Sequence, residues 1–236
     1  MAIVQGRPFL EHLLEYWIGQ GVREFVLCIG HMAESVKEHF GGSFKCAAVR
    51  YSSETEPQGT GGALNLALST YPQHGRFLVL NGDSFFNVPL IRLEQKMTDC
   101  CASWLTSLFA SPNTERYGPI ALDPDDSVVR QTRTVSSELD LTSGDMWVNG
   151  GVWLGDLTRF PLHISSLSLP YSLENYLEEF QQMQPGTVFG LRSSVTFVDI
   201  GVPADYASAQ RLEFFRSEER SSGPSGSISL PPKVEI

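Results

Sequence analysis

The chain has 236 residues, which suits one large α/β domain or two small ones, and 42% of them are hydrophobic, which is ordinary for a globular protein with a core. Its 27 acidic and 17 basic residues give a net charge of −10. This charge argues against nucleic acid as a partner, because Lys and Arg hold phosphate backbones. The sequence contains neither an apolar run near the roughly 20 residues of a membrane span nor a signal-peptide pattern.

The four cysteines show no C-x-x-C or Cys/His metal spacing, so a zinc site is not expected. They are typical of reduced thiols in a cytoplasmic protein. Together with the missing membrane signals, they predict a cytoplasmic chain that has no membrane partner.

Helix and strand patterns alternate through the first hundred residues. Residues 9–18 carry apolar side chains at helical spacing, and this pattern ends at Gly19 and Gly21. Residues 24–29 read as a buried strand. Further helices are predicted over "MAESVKEHF" and "GGALNLALSTY", and further strands over "KCAAVRYS" and "RFLVLNGDSFF". The alternation predicts a mostly parallel sheet with helices on both faces.

The second half of the chain is predicted to contain shorter strands and two helices. Two strands flank an Asp/Pro turn at residues 123–126. One helix is predicted to have Ser172 as its N-cap, and the other has Pro203 in its first turn. The domain is predicted to span residues 1–216, and the Ser-, Gly- and Pro-rich residues 217–236 are predicted to form a disordered tail.

A glycine-rich stretch, "EPQGTGGALNLAL", opens one of the predicted helices and contains Gly59, Thr60 and Gly62. Glycines at a strand-to-helix junction free backbone N–H groups and let a ligand approach closely. A tight turn at a glycine-rich helix start explains the pattern equally well. The stretch is not a P-loop, since no G-K-[ST] follows, and it lacks the third glycine of a dinucleotide fingerprint.

Two isolated aspartates lie at strand ends. Asp83 follows a strand that ends at Leu80, and Asp199 lies between two apolar residues of a short strand. Open α/β sheets bind ligands at this edge, where a carboxylate can hold Mg²⁺ against phosphate oxygens. For Asp83 alone a strand-ending turn is the simpler explanation. The pair, however, suits one shared Mg²⁺ and a nucleoside triphosphate.

Two further positions are candidates for sugar binding. Asn149, followed by two glycines, offers an amide beside open backbone, and a β-bulge is the alternative interpretation. Glu174 lies in the first turn of a predicted helix, where the helix dipole favours a Glu without any ligand. The five histidines have no acid or nucleophile placed to use them, and no G-x-S-x-G motif supports serine hydrolase chemistry.

Six motifs together resemble the sugar-1-phosphate nucleotidylyltransferases. In the order of that family they are "GRPFLEHLLEYW", "EPQGTGGAL", "LVLNGDSFF", "NGGVWL", "SLE" and "FVDIGVPADYASAQ". The resemblance extends from Met1 to Arg211, and six motifs in order are highly specific. The "NGDSFF" and "EPQGTGGA" variants look most like the branch of D-glycero-D-manno-heptose 1-phosphate guanylyltransferases.

The resemblance implies a Rossmann-like nucleotide-diphospho-sugar transferase fold, in which helices flank a mixed, mostly parallel sheet. It implies that an oxygen of a sugar 1-phosphate attacks the α-phosphorus of a nucleoside triphosphate and that pyrophosphate leaves. Heptose 1-phosphate is the favoured sugar 1-phosphate, and GTP is the favoured nucleotide. Such a reaction depends mainly on positioning and charge neutralisation. Assembly as a homo-oligomer is compatible with this family.

The resemblance also implies a role for individual residues. The implied Mg²⁺ ligands are Asp83 and Asp199. The implied nucleotide-binding residues are Gln58, Gly59, Thr60, Gly62 and Asp83. The implied sugar-binding residues are Gly118, Asn149, Gly150 and Glu174.

Two features depart from the family pattern. Family members begin with a central strand and a glycine-rich loop whose Arg and Lys neutralise the leaving pyrophosphate, whereas "MAIVQGRPF" matches the stretch after that loop. The first strand and the loop are therefore predicted to be missing, and the resulting unpaired sheet edge is expected to favour aggregation. Arg130 and Arg133 lie near the position of a sugar-phosphate-binding Lys of the family. The alternative function is a catalytically inactive regulatory protein that binds a sugar phosphate or nucleotide.

Overall fold

The computed structural model describes residues 1–71, 74–111, 119–131, 146–159, 168–212, 215 and 233–235. Its helices are α1 (Phe9–Gly19), α2 (Ala33–Phe40), α3 (Gly59–Thr70), α4 (Leu90–Asp99), α5 (Leu173–Met183) and α6 (Pro203–Ala209). Its first seven strands are β1 (Ile3–Val4), β2 (Arg7–Pro8), β3 (Glu24–Ile29), β4 (Ser43–Phe44), β5 (Ala47–Ser53), β6 (Arg76–Leu80) and β7 (Ser84–Phe86). The remaining strands are β8 (Trp104–Ala110), β9 (Ile120–Leu122), β10 (Val128–Gln131), β11 (Trp147–Asp156), β12 (Val188–Arg192), β13 (Phe197–Asp199) and β14 (Lys233–Glu235).

An eight-stranded mixed sheet forms the centre of the fold, in the order β12-β8-β11-β6-β14-β3-β5-β4. The strands β6, β14, β3 and β5 run parallel to one another, and β12 runs parallel to β8. Strand β11 pairs antiparallel with both β6 and β8. The predicted α/β architecture with a mixed sheet is therefore confirmed.

Alternate residues of the central strands supply two hydrophobic clusters. Leu78 and Leu154 belong to the cluster that contains buried residues of α1 and α4. Their chain neighbours Phe77 and Trp153 belong to the cluster that contains buried residues of α3 and α5. Because successive side chains of a strand point to opposite faces, helices cover both faces of the sheet.

Three predicted helix boundaries are confirmed. Helix α1 ends at Gly19, and α6 has Pro203 as its first residue. Ser172 caps α5, since its hydroxyl oxygen accepts a hydrogen bond from the backbone N–H of Asn175 at 3.2 Å. In the part of the chain that the structure describes, every helix is too short or too polar to cross a membrane.

The position between β3 and β6, at the centre of the sheet, is occupied by β14. Val234 pairs with Phe25 of β3 on one side and with Leu78 of β6 on the other. The prediction of a disordered tail is therefore wrong for Lys233–Glu235, while residues 216–232 and 236 lie outside the described residues. The expected unpaired edge is not found at this position because β14 fills it. A composition rich in Ser, Gly and Pro could not predict this pairing, which is made with strands far away in the sequence.

An ion-pair network joins the N-terminal hairpin to α1 and to the segment around β4. Arg7 forms ion pairs with Glu11, at 2.6 Å, and with Glu15. Lys45 lies 2.6 Å from Glu15, and His39 Nε2 lies 2.7 Å from Glu11. Burial raises the pKa of each glutamate, but hydrogen bonds from these basic groups outweigh burial and leave both pKa values below the ordinary 4.5.

This network predicts a loss of stability in acid. A carboxylate whose pKa is lower in the folded chain than in the unfolded chain stabilises the fold above pH 4.5. That contribution disappears as the pH falls through the folded pKa. We expect Glu15→Gln to remove about 1 kcal/mol at pH 7 and to flatten the acid side of the stability profile. Urea unfolding between neutral and acidic pH measures this profile.

The matched control is Glu34→Gln, because Glu34 is the exposed partner of Lys37 in an isolated pair. We expect this variant to keep both the stability and the pH profile of the parent protein. If the stability of Glu15→Gln fell toward acidic pH as steeply as that of the parent protein, the role given to the network would be contradicted.

Candidate active site

Strands β7 and β13 bring the two predicted metal ligands together. The strands pair antiparallel with Asp199 opposite Ser84, and the N–H of Ile200 donates to the carbonyl oxygen of Asp83 at 2.9 Å. A Cβ atom placed on Gly201 would lie 3.0 Å from Asp199 Oδ1 and 3.5 Å from Asp83 Oδ2. Two carboxylates that are far apart in the sequence therefore lie beside the same point.

This pair has the chemistry that Mg²⁺ requires. Asp83 is exposed and Asp199 is half-buried, so a ligand can reach both. The Asp199 carboxylate is held in place because its Oδ1 accepts from the N–H of Gly201 at 2.7 Å. The described residues contain no cluster of three or more His, Cys, Asp or Glu suited to a metal. Two carboxylates fit Mg²⁺, since this ion usually keeps several waters and binds substrate phosphates.

The predicted sugar-binding residues of β11 lie against the turn that carries Asp83. The pairing of β11 with β8 shifts register between Asn149 and Trp153, so the β-bulge considered for this stretch is present. Asn149 Oδ1 accepts from the N–H of Gly151 at 2.9 Å, and the carbonyl oxygen of Gly151 accepts from the N–H of Asn81 at 2.9 Å. The bulge is thus tied directly to the end of β6.

The twin glycines of β11 make room for side chains of β7. A Cβ on Gly150 would lie 2.5 Å from Phe86 Cδ1, and a Cβ on Gly151 would lie 2.4 Å from Ser84 Oγ. Gly151 also has a φ of +72°, which favours glycine. The two glycines therefore have a packing role that the sequence alone did not indicate.

The glycine-rich stretch begins α3 and is in contact with Tyr171, just before α5. Gly59 has a φ of +77°, and a Cβ on it would lie 2.3 Å from the carbonyl oxygen of Tyr171. The N–H of Gly61 donates to that same oxygen at 3.1 Å, and the N–H of Tyr171 donates to the carbonyl oxygen of Gln58 at 3.0 Å. At Gly59 and Gly61 the close approach is thus made by the protein itself. Ligand contacts of this stretch stay a prediction.

The junction of α3 and α5 brings predicted nucleotide-binding and sugar-binding residues near each other. Thr60 Oγ1 accepts from the N–H of Leu173 at 2.8 Å, and Leu173 directly precedes Glu174. Gly62 is buried, and a Cβ on it would lie 2.7 Å from both Gln58 Cβ and Leu169 Cδ2. Gly118 and Arg133 lie outside the described residues, as does the side chain of Arg130.

Both groups of site residues lie at one edge of the sheet. Strands β5, β3 and β6 are parallel, so the residues after Ser53, Ile29 and Leu80 emerge at the same edge. Strand β5 is three strand positions from β6, which corresponds to roughly 14 Å. The edge therefore carries the glycine-rich stretch at one end of this span and the Asp83 turn at the other.

The residues Glu54 and Tyr171 also belong to this edge, although they were not among the predicted site residues. Glu54 Oε2 accepts from the N–H of Gln58 at 3.0 Å, and its Oε1 would lie 3.0 Å from a Cβ on Gly30. An acidic residue just past a strand end, as at Asp83, is a signal that could have identified Glu54. No comparable signal marks Tyr171, whose pKa is raised by burial.

Known proteins resemble this chain in both sequence and fold. Residues 1–132 match the family model described as nucleotidyl transferase. The chain is 32% identical over 208 residues to the D-glycero-alpha-D-manno-heptose 1-phosphate guanylyltransferase of Campylobacter jejuni, covering 87% of this chain and 86% of that protein. It is 30% identical over 213 residues to the protein of the same name from Aneurinibacillus thermoaerophilus, covering 89% and 87%.

The fold is also similar to that of a solved structure. The crystal structure of HddC from Yersinia pseudotuberculosis matches with a TM-score of 0.72 at 24% identity, over 89% of this chain and 87% of that chain. Its similarity supports the fold assignment, and the sequence matches carry the family assignment. This chain therefore belongs to the nucleotidyl transferase family.

Proposed function

We propose that the chain transfers a guanylyl group from GTP to a sugar 1-phosphate, with heptose 1-phosphate as the favoured acceptor. The observation that carries this proposal is the convergence of Asp83 and Asp199 at the sheet edge of a nucleotidyl transferase. Two relatives named as heptose 1-phosphate guanylyltransferases support the choice of both substrates. A crystal structure of HddC complexed with GMP-PN supports a guanine nucleotide.

The proposed reaction needs no covalent intermediate. An ionised phosphate oxygen of the sugar 1-phosphate forms a bond to the α-phosphorus of GTP, the bond from that phosphorus to the bridging oxygen breaks, and pyrophosphate leaves. The acceptor oxygen is already ionised at neutral pH, so the protein mainly positions the two reactants. Asp83 and Asp199 would hold one Mg²⁺, which when bound neutralises charge on the phosphates.

The remaining site residues are assigned by their place along the edge. Gln58, Gly59, Thr60 and Gly62 lie at the β5 end and would bind the nucleoside, while Asp83 follows β6 and would lie beside the phosphates. The sugar would be bound by Asn149, Gly150 and Glu174. Gly118 lies outside the described residues and is assigned to the sugar by the family resemblance alone. An amide both donates and accepts hydrogen bonds, and a carboxylate accepts them from hydroxyl groups, so Asn149 and Glu174 are suited to a polyhydroxylated ligand.

A pyrophosphate-release assay that crosses four nucleoside triphosphates with several sugar 1-phosphates tests the proposal. We expect GTP with heptose 1-phosphate to give a kcat/KM at least about tenfold above any other pair. Removal of Mg²⁺ by EDTA should abolish the signal. The inactive alternative makes the opposite prediction, with saturable binding in calorimetry and no pyrophosphate from any pair. That result would overturn the proposal.

A further inference from the structure

Strand β14, at the centre of the eight-stranded sheet, is shorter than both strands that flank it. Strand β14 has 3 residues, whereas its neighbours β6 and β3 have 5 and 6. Its register partners Phe25 and Leu78 are fully buried. Both neighbours are therefore interior strands, and each pairs with β14 along the edge that faces it.

Removing β14 would leave a slot one strand wide between β3 and β6. The backbone N–H and C=O groups of Phe25 and Val26 on one side and of Phe77–Val79 on the other would then have no strand between them. Buried backbone groups without partners are costly, so this slot requires an occupant. An extended segment that adds parallel to a strand supplies such partners through its main chain alone.

The slot also separates the two groups of site residues. The glycine-rich stretch follows β5, which is attached to β3, whereas the Asp83 turn follows β6. Strand β14 is the direct sheet connection between these two parts. Loss of β14 is therefore expected to change the spacing of the site as well as the stability of the sheet.

We propose that residues 233–235 bind intramolecularly in this slot as a strand clip that keeps the two halves of the site in register. The tether permits this, because the residues between Phe215 and Lys233 can extend to about 60 Å, longer than the width of the sheet. The clip is a binding interaction of the distal segment of the chain. The experiments that detect this interaction require neither a known substrate nor an assay of nucleotidyl transfer.

Amide hydrogen exchange on the full chain is the first test. We expect the amides of Val234 and Glu235 to exchange at least roughly 100-fold more slowly than an unstructured peptide. The protection should be the same at low and high protein concentration, since the clip is intramolecular. Exchange at the rate of a free peptide would overturn the proposal. Protection that appears only at high concentration would overturn it too, because the segment would then come from a second copy.

Two full-length variants give the second test. Val234→Pro removes the backbone N–H from the centre of the clip, whereas Val234→Ala shortens the side chain and keeps that N–H. We expect Val234→Pro to lower the melting temperature by at least about 5 °C relative to Val234→Ala, and to abolish the exchange protection. Equal melting temperatures for the two variants would contradict the clip. If Val234→Pro does not fold, exchange on the parent chain still decides the question.

Discussion

Asp83→Asn and Asp199→Asn are each expected to lower kcat roughly 1000-fold while leaving the melting temperature almost unchanged. Asn keeps the size of Asp and one side-chain oxygen, so the hydrogen bond from Gly201 to residue 199 can persist. The change removes a negative charge from the pair beside Gly201, and with it the affinity for a divalent cation. Preorganised charge stabilisation of this kind is worth about 100- to 1000-fold per group.

Three measurements make this result specific. Steady-state pyrophosphate release gives kcat, electron paramagnetic resonance of Mn²⁺ gives cation affinity, and calorimetry gives stability. Asp99→Asn is the matched control, because Asp99 is exposed at the end of α4, away from this pair. We expect the control to behave like the parent protein in all three. Full activity with unchanged Mn²⁺ affinity in either site variant would remove the pair from the proposed mechanism.

Gly59→Ala is expected to destabilise the protein by about 3 kcal/mol and to raise the KM of both substrates. The residue has a φ of +77°, and a Cβ on it would lie 2.3 Å from the carbonyl oxygen of Tyr171. A left-handed conformation costs an L-residue about 1–2 kcal/mol, and overpacking against backbone typically adds 1–3 kcal/mol. The contact can be relieved only if α3 moves away from the start of α5.

Gly19→Ala provides the control for this prediction. Gly19 closes α1 outside the left-handed region, and a Cβ on it would meet no atom within 4 Å. Ala is a better helix former, so we expect this variant to be as stable as the parent or more stable, by up to about 1 kcal/mol. Urea unfolding compares the two variants. Equal stability of Gly59→Ala and the parent would contradict the tight junction described between α3 and α5.

Much of the fold could be predicted because its signals are local. Strand β3 has the bounds that its apolar run predicts, and the starts of α5 and α6 follow from Ser172 and Pro203. Strand β14 could not be predicted in this way. It has only three residues, and the partners that make it a strand, Phe25 and Leu78, lie far away in the sequence.

The candidate site shows the same difference between local signals, which the sequence reveals, and long-range contacts, which it does not. Asp83 and Asp199 each have a local signal, a carboxylate at the end of an apolar strand. Their convergence depends on the pairing of β7 with β13, two strands that lie far apart in the sequence and carry no local signal that they pair. The contact between Tyr171 and Gly59 has no local signal, since it joins a loop to a helix start far back in the sequence. A glycine in this stretch can serve either the close approach of a ligand or close packing within the protein. The sequence pattern is the same in both cases.

The central claim, attack of a sugar 1-phosphate on the α-phosphorus of a nucleotide, is tested most directly by isotope transfer. The acceptor is heptose 1-phosphate with ¹⁸O in its phosphate oxygens, incubated with GTP, Mg²⁺ and the full chain. Mass spectrometry of the products follows the label. We predict that the nucleotide sugar retains every labelled phosphate oxygen and that the pyrophosphate carries none. Label in pyrophosphate or in free phosphate, or no nucleotide sugar at all, would contradict the account.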